Sequence, residues 1–137
     1  MTQLEAVPVE RVPLYWPHVS RYIAQAVSDC GHCWSLNDVR NDLNNLVMQL
    51  WVIWKDGEIC GVICTHIFHS PRGKTCAMPV VGCDDMAGCI GGTLDTITDF
   101  AKANGCVRLQ GEGRKGWERA LKPLGWKPIT TQVEKVL

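Results

Sequence analysis

The stretch Val80 to Gly105 constrains the fold of this 137-residue chain more than any other. It reads as an apolar strand that runs through a glycine-rich turn into an amphipathic helix, and the glycines stand at Gly82, Gly88, Gly91 and Gly92. A helix that begins directly after such a turn presents unpaired backbone N–H groups, so the turn is a candidate anion site. Glycines without a fixed motif are equally typical of a plain tight connection, and both interpretations stay open.

The other elements predict one α/β domain over residues 1–137, in the order β-α-α-β-β-β-α-β-α-β. Asp56-Gly57 predicts a hairpin between two strands that are apolar on both faces, so helices are expected on both faces of a mixed sheet. The predicted strands are Leu4–Val12, Leu46–Lys55, Glu58–Phe68, Thr75–Gly82, Cys106–Gln110 and Ile129–Leu137. The predicted helices are Tyr15–Asp29 with Pro17 in its first turn, a short helix capped by Ser35, the helix ending near Gly105, and Gly113–Leu124.

Charge and hydropathy argue against two classes of partner. The chain has 14 basic and 14 acidic residues, and neither sign forms a run, so we expect no nucleic acid partner. The longest apolar run, Leu46 to Trp54, is interrupted by Gln49 and is too short to cross a bilayer, so we expect no membrane partner. The N-terminus lacks an apolar core after a basic start, which favours a cytoplasmic protein.

The eight cysteines would suit a disulfide framework only in an exported protein. Without an export signal, Cys60, Cys64, Cys76 and Cys106 are interpreted as small reduced residues within apolar strands.

Cys30-Gly-His-Cys33 has the dithiol spacing of thioredoxin-like enzymes but lacks the preceding strand. A zinc site would need two further ligands, for which Cys64, His66 and His69 are the chemical candidates. Because nothing in the sequence brings those residues to Cys30, we predict no metal site.

The element order, with its Asp-Gly hairpin before the strand, glycine turn and long helix, resembles the GNAT superfamily of acyl-CoA-dependent N-acetyltransferases. In that family a strand ending V-x-P leads into Q/R-x-x-G-x-G/A, whose N–H groups hold the pyrophosphate of coenzyme A. The family spacing places Val80-Val-Gly82 on the first motif and Asp85-Met-Ala-Gly88-Cys-Ile90 on the second. The resemblance implies acetyl-CoA as cofactor, an amine as acceptor, and a cofactor site formed by Val81, Cys83, Gly88, Cys89, Ile90 and Gly91.

Only one of the three signature positions matches the family pattern, and the departures with chemical consequences are at residues 84, 85 and 121. Asp85 stands where the family has Arg or Gln, and Asp84 precedes it. A carboxylate about 5 Å from a phosphate costs roughly 3 kcal/mol at an effective dielectric constant of about 20. Leu121 stands where a family tyrosine protonates the departing thiolate, and leucine cannot donate a proton. These departures predict a degenerate cofactor site with weak binding.

The segment 113–126 also resembles small GNAT-like proteins of tailed bacteriophages. That resemblance implies an alternative function, a catalytically inactive binding or virion-associated component that acts through a protein partner or as an oligomer. The protein would then be found in the host cytoplasm or in the virion.

Two residues are candidate general bases for an amine acceptor. His66 lies near the end of a predicted strand, and the reference pKa of histidine is close to neutral pH. Glu112 follows the fifth predicted strand, where the resemblance implies that a carboxylate can take the amine proton through water. Each could equally be an ordinary solvent-facing side chain.

Overall fold

The computed structural model describes residues 2–29, 34–111, 116–131 and 133–137. The strands are β1 (Thr2–Val7), β2 (Gln49–Lys55), β3 (Glu58–Ser70), β4 (Gly73–Cys83) and β5 (Arg108–Gly111). The helices are α1 (Val12–Asp29), α2 (Leu36–Asn44), α3 (Met86–Ala103) and α4 (Gly116–Leu121), with short 3-10 helices at Val9–Arg11 and Lys122–Leu124.

The five strands form one sheet in chain order. β1 to β4 are antiparallel neighbours, and β5 runs parallel to β4. Asp56 and Gly57 both have positive φ, 53° and 79°, which is the backbone of a two-residue hairpin turn between β2 and β3. The predicted mixed, mostly antiparallel α/β architecture is confirmed.

Each face of the sheet is covered by a pair of helices, as the doubly apolar strands predict. Successive residues of β2 alternate between the layers: Leu50 and Val52 pack with α1 and α2, whereas Trp51 and Ile53 pack with α3 and α4. We call these clusters the α1/α2 layer and the α3/α4 layer. Trp51 meets Phe100 of α3 edge-on, with ring centroids 5.0 Å apart.

The N-termini of α2 and α1 have different causes, a local capping box in α2 and the burial of side chains in α1. Ser35 and Asp38 form the predicted capping box of α2, with reciprocal bonds of 2.9 and 3.1 Å. α1 begins at Val12, earlier than predicted, so Pro17 lies inside the helix and not in its first turn. The buried side chains of Val19, Tyr22 and Ile23 hold the helix together around it.

The predicted strand Ile129–Leu137 is wrong. Among the described residues of this segment, 129–131 and 133–137, there is no strand, and Ile129, Val133 and Val136 are exposed. Local alternation indicates strand propensity but supplies no neighbouring strand to pair with. Within the described part of the chain, no helix is both long enough and apolar enough to span a bilayer.

Gly82 lets α1 approach the sheet at backbone distance. A Cβ at this position would lie 2.4 Å from the carbonyl oxygen of Tyr22, which belongs to the helix backbone and cannot rotate away. The glycine of β4 therefore fixes how closely α1 packs on the strand that leads into α3.

Gly82→Ala should lower the free energy of unfolding by about 2–3 kcal/mol or more, because the added methyl group forces α1 and β4 apart. Gly92→Ala is the matched control, since a Cβ there meets only Thr2 Oγ1 at 3.8 Å and alanine favours the helix. It should raise stability by about 0.5–1 kcal/mol. Urea denaturation of both variants measures the two changes, and equal stabilities would contradict the close approach.

Candidate functional site

The second half of β4 connects the sheet to α3. Among the described residues, the β4–β5 ladder runs from Thr75 beside Arg108 to Met78 beside Gly111. β4 continues past Met78 and pairs with β3 as far as Cys83. The residues from Met78 to Cys83 therefore lead directly to the start of α3.

Val81 and Cys83, two of the predicted cofactor residues, lie on the second half of β4. Their half-buried side chains pack in the α3/α4 layer. Trp126 approaches the last described pair of the β4–β5 ladder, since a Cβ on Gly111 would be 3.7 Å from its ring and 3.7 Å from the Met78 methyl group. Apolar side chains therefore surround this end of the described ladder.

The second half of β4 leads to the N-terminus of α3. The first helical bond runs from the N–H of Cys89 to the carbonyl of Asp85 at 3.0 Å. The N–H groups of the three preceding helical residues, Met86 to Gly88, therefore have no acceptor within the helix. They form the kind of donor set that binds an anion, as the sequence predicts.

The predicted glycine turn is wrong in its extent. Gly88, Cys89, Ile90 and Gly91 all lie in the first two turns of α3, which begins at Met86. Each glycine costs the helix roughly 1 kcal/mol relative to alanine. Burial of Leu94 and Ile97 on its inner face offsets that cost.

The oppositely charged side chains of Asp85 and Lys55 both lie close to Gly88 at the start of α3. A Cβ on Gly88 would lie 2.6 Å from Oδ2 of Asp85 and 3.7 Å from Nζ of Lys55. The carboxylate thus occupies the space over Gly88, and the ammonium group stands next to it. Sequence reasoning found Asp85 but missed Lys55, because only the folded sheet brings the end of β2 to α3.

The side chain of Asp84 faces the α1/α2 layer, where Tyr22 and Arg21 compensate its charge. The hydroxyl of Tyr22 donates to its Oδ2 at 2.8 Å, and Arg21 Nη1 lies 3.5 Å from its Oδ1. Burial, followed by the bond to Asp84, raises the pKa of Tyr22 to about 12. The expectation that both aspartates oppose a phosphate is therefore wrong for Asp84, and only Asp85 stands at the helix start.

Three thiols meet beside this helix start. Sγ of Cys60 on β3 lies 3.5 Å from Sγ of Cys89 on α3. Cys83 at the end of β4 packs in the same layer, and after burial the nearby Cys89 raises the pKa of its thiol. Burial is the main cause that raises the pKa of both Cys60 and Cys83. The six cysteines that the structure describes are all free thiols, including the four that the sequence analysis interpreted as reduced.

His66 pairs across the β3–β4 ladder with Ala77, which directly precedes Met78. Its Nδ1 is 2.9 Å from the carbonyl of Val47, which can only accept, so the proton of the neutral ring sits on Nδ1 and Nε2 has the lone pair. The ring of Phe68 stacks against the ring of His66, with the two centroids 5.8 Å apart.

The remaining candidates divide into two groups. Glu112, Cys30 and Cys33 lie outside the described residues. Leu121 is buried in the α3/α4 layer, and both tyrosines lie on α1, with Tyr15 donating to Glu5 at 2.8 Å. In the described ranges, no three His, Cys, Asp or Glu side chains are grouped to hold a metal ion.

A cavity of about 570 Å³ lies between α1 and the β2–β3 hairpin. It is lined by Tyr15, His18, Arg21, Trp54 and Glu58, among others. Trp54 packs in the α1/α2 layer, so this cavity is on the other face of the sheet from the start of α3.

Solved structures share the fold of this chain over nearly their whole length. A predicted acetyltransferase from Clostridium acetobutylicum, solved with acetyl-CoA, matches with a TM-score of 0.71 at 14% identity, covering 99% of this chain and 96% of that one. An aminoglycoside acetyltransferase from an uncultured soil sample matches with a TM-score of 0.73 at 12% identity, covering 100% and 99%. A GNAT family acetyltransferase from Staphylococcus aureus matches with a TM-score of 0.64 at 13% identity, covering 99% and 98%.

The chain has the GNAT fold. At these identities the likeness defines the fold alone. No protein-family model matches the sequence, and no curated protein matches it significantly. The residues that the sequence resemblance assigned to coenzyme A lie at the end of β4, Val81 and Cys83, and at the start of α3, Gly88, Cys89, Ile90 and Gly91.

Tyr22→Phe should lower the free energy of unfolding at pH 8 by about 1–2 kcal/mol, because it removes the bonds to Asp84 and to the carbonyl of Ile59. The folded-state pKa of Tyr22 is raised, so its contribution is full below pH 10 and is lost as the pH rises towards 12. Urea denaturation at pH 8 and pH 11.5 should show the stabilities of wild type and variant converging. A constant difference would contradict this linkage.

Proposed function

We propose that this protein is an acetyl-CoA-dependent N-acetyltransferase with a weakened cofactor site. The observation that carries the proposal is that β4 continues beyond Met78 to Cys83 and leads directly to the free N–H groups at the start of α3. From Met78 to Cys83 the strand spans about 17 Å, which suits an elongated ligand with an anionic end. The GNAT fold and the neighbour solved with acetyl-CoA support this assignment.

The residues at the start of α3 fit a phosphate group in shape and partly in charge. The N–H groups of Met86 to Gly88 supply donors, and Lys55 supplies a cation beside Gly88. Asp85 is exposed, so its carboxylate can rotate away from Gly88 and leave Lys55 facing the anion. The need to displace Asp85 is the physical reason for weak binding.

When bound, acetyl-CoA supplies an activated thioester, and the chain supplies orientation and proton transfer. His66, with the lone pair on Nε2, is the proposed base for the amine, and Glu112 directly after β5 is the second candidate. Leu121 is buried and cannot donate a proton, so protonation of a coenzyme A thiolate would be left to solvent. The acceptor is an amine whose identity the site leaves open.

Titration calorimetry with acetyl-CoA tests the proposal through two neighbouring aspartates. Asp85→Asn removes the charge over Gly88 and should strengthen binding about 10- to 100-fold, equivalent to about 1.4–3 kcal/mol. Asp84→Asn removes an adjacent charge that Arg21 and Tyr22 already neutralise. This matched control should lower stability but leave acetyl-CoA affinity within about twofold of wild type.

Equal effects of the two substitutions on affinity would show that the start of α3 does not hold the phosphates. Absence of heat with wild type and Asp85→Asn alike would refute acetyl-CoA as the cofactor.

A second candidate function is a catalytically inactive GNAT-fold component, such as a bacteriophage binding or virion-associated protein. It is favoured by Leu121 in place of a proton donor and by the exposed apolar residues of the C-terminal segment, Ile129, Val133, Val136 and Leu137. Such a surface suits a protein partner or an oligomer. A stable assembly in light scattering, together with no binding of acetyl-CoA, would favour this candidate over the enzyme.

A further inference from the structure

The three thiols beside α3 come from three separate elements, namely Cys60 of β3, Cys83 of β4 and Cys89 of α3. Sγ of Cys89 lies 3.5 Å from that of Cys60, and Cys83 packs in the same layer. The proposed acetyl transfer assigns no reaction to a thiol of this protein. The cluster therefore has chemistry that the proposed function leaves unassigned.

Cys60 and Cys89 are within reach of a covalent bond. Their sulfur atoms stand 3.5 Å apart, and a disulfide needs about 2.05 Å, so the pair must close by roughly 1.5 Å. Rotation about the two Cα–Cβ bonds and a small shift of the first turn of α3 can supply this movement. Cys60 is half-buried, whereas Cys89 is only 2% exposed, so an oxidant from solvent reaches Cys60 first.

We propose that Cys60 and Cys89 are an oxidation site at which a peroxide forms an intramolecular disulfide that closes the anion site of α3. The Cys60 thiolate attacks one oxygen of hydrogen peroxide, giving a sulfenic acid and, after proton uptake, one water. The Cys89 sulfur then attacks the sulfenic sulfur, and the hydroxyl leaves as a second water. Two thiols are oxidised by two electrons, and one peroxide is reduced to two waters.

The position of Cys89 connects this disulfide with the anion site. Its N–H closes the first turn of α3, directly after the free N–H group of Gly88. Drawing Cys89 towards β3 displaces that turn and misaligns the donors. Resting on the proposed function, the oxidised form should bind acetyl-CoA about tenfold more weakly, which corresponds to about 1.4 kcal/mol.

The surroundings of Cys60 predict slow oxidation that accelerates with pH. Burial, together with the neighbouring Cys89 and Asp84, raises the pKa of Cys60, while Lys55 lowers it. The reactive species is the thiolate, so its population and the oxidation rate should increase from pH 7 towards pH 9.

The test treats the full chain with hydrogen peroxide at pH 7 and pH 9, blocks the remaining thiols, and maps disulfides by peptide mass spectrometry. We expect a Cys60–Cys89 crosslink that forms faster at pH 9 and is reversed by dithiothreitol. Cys60→Ser should abolish the crosslink. Cys106→Ser is the matched control, because Cys106 is a half-buried thiol outside the cluster, and this variant should form the crosslink as wild type does.

Calorimetry with acetyl-CoA on the same samples separates this inference from the proposed function. Oxidised wild type should lose about tenfold in affinity, whereas peroxide-treated Cys60→Ser should bind as its reduced form does. No crosslink, or a Cys83–Cys89 crosslink in its place, would overturn the assignment even if acetyl-CoA binds. A Cys60–Cys89 crosslink in a protein that never binds acetyl-CoA would support the oxidation site and refute the cofactor.

Discussion

The contact between Gly82 and the backbone of Tyr22 is the constraint on which the rest of the structure depends. It sets α1 directly on the second half of β4, the half that leads into α3. The same strand end carries Asp84 into bonds with Tyr22 and Arg21 of α1. The direction in which the chain enters α3, and therefore the position of its free N–H groups, follows from this anchored strand end.

The two adjacent aspartates lie in different surroundings, although they are neighbours in sequence. Asp84 points to the α1/α2 layer, where its charge is compensated. Asp85 is the N-cap residue of α3 in an extended conformation, and its carboxylate covers Gly88. Lys55 approaches from β2 beside that carboxylate. The candidate site is thus a helix start whose positive end is masked by one carboxylate.

The sequence could predict those parts of the fold that depend on neighbouring residues. The Asp56-Gly57 hairpin, the Ser35 capping box and the doubly apolar strands are all local signals, and the structure confirms each. The partners of Asp84, the approach of Lys55 and the Cys60–Cys89 contact join residues that are distant in sequence. No local pattern could indicate them. Ile129 to Leu137 shows the converse, a strand-like pattern without a partner strand.

The central claim is that acetyl-CoA lies along β4 and ends at α3, and amide chemical-shift mapping tests it most directly. Titration of isotope-labelled protein with acetyl-CoA should shift the amides of Val81 to Gly92 and those of Met78 and Gly111. The amides around the cavity of Tyr15, His18 and Trp54, on the other face of the sheet, should stay unchanged. Shifts confined to that cavity, or none in the presence of excess acetyl-CoA, would contradict the account.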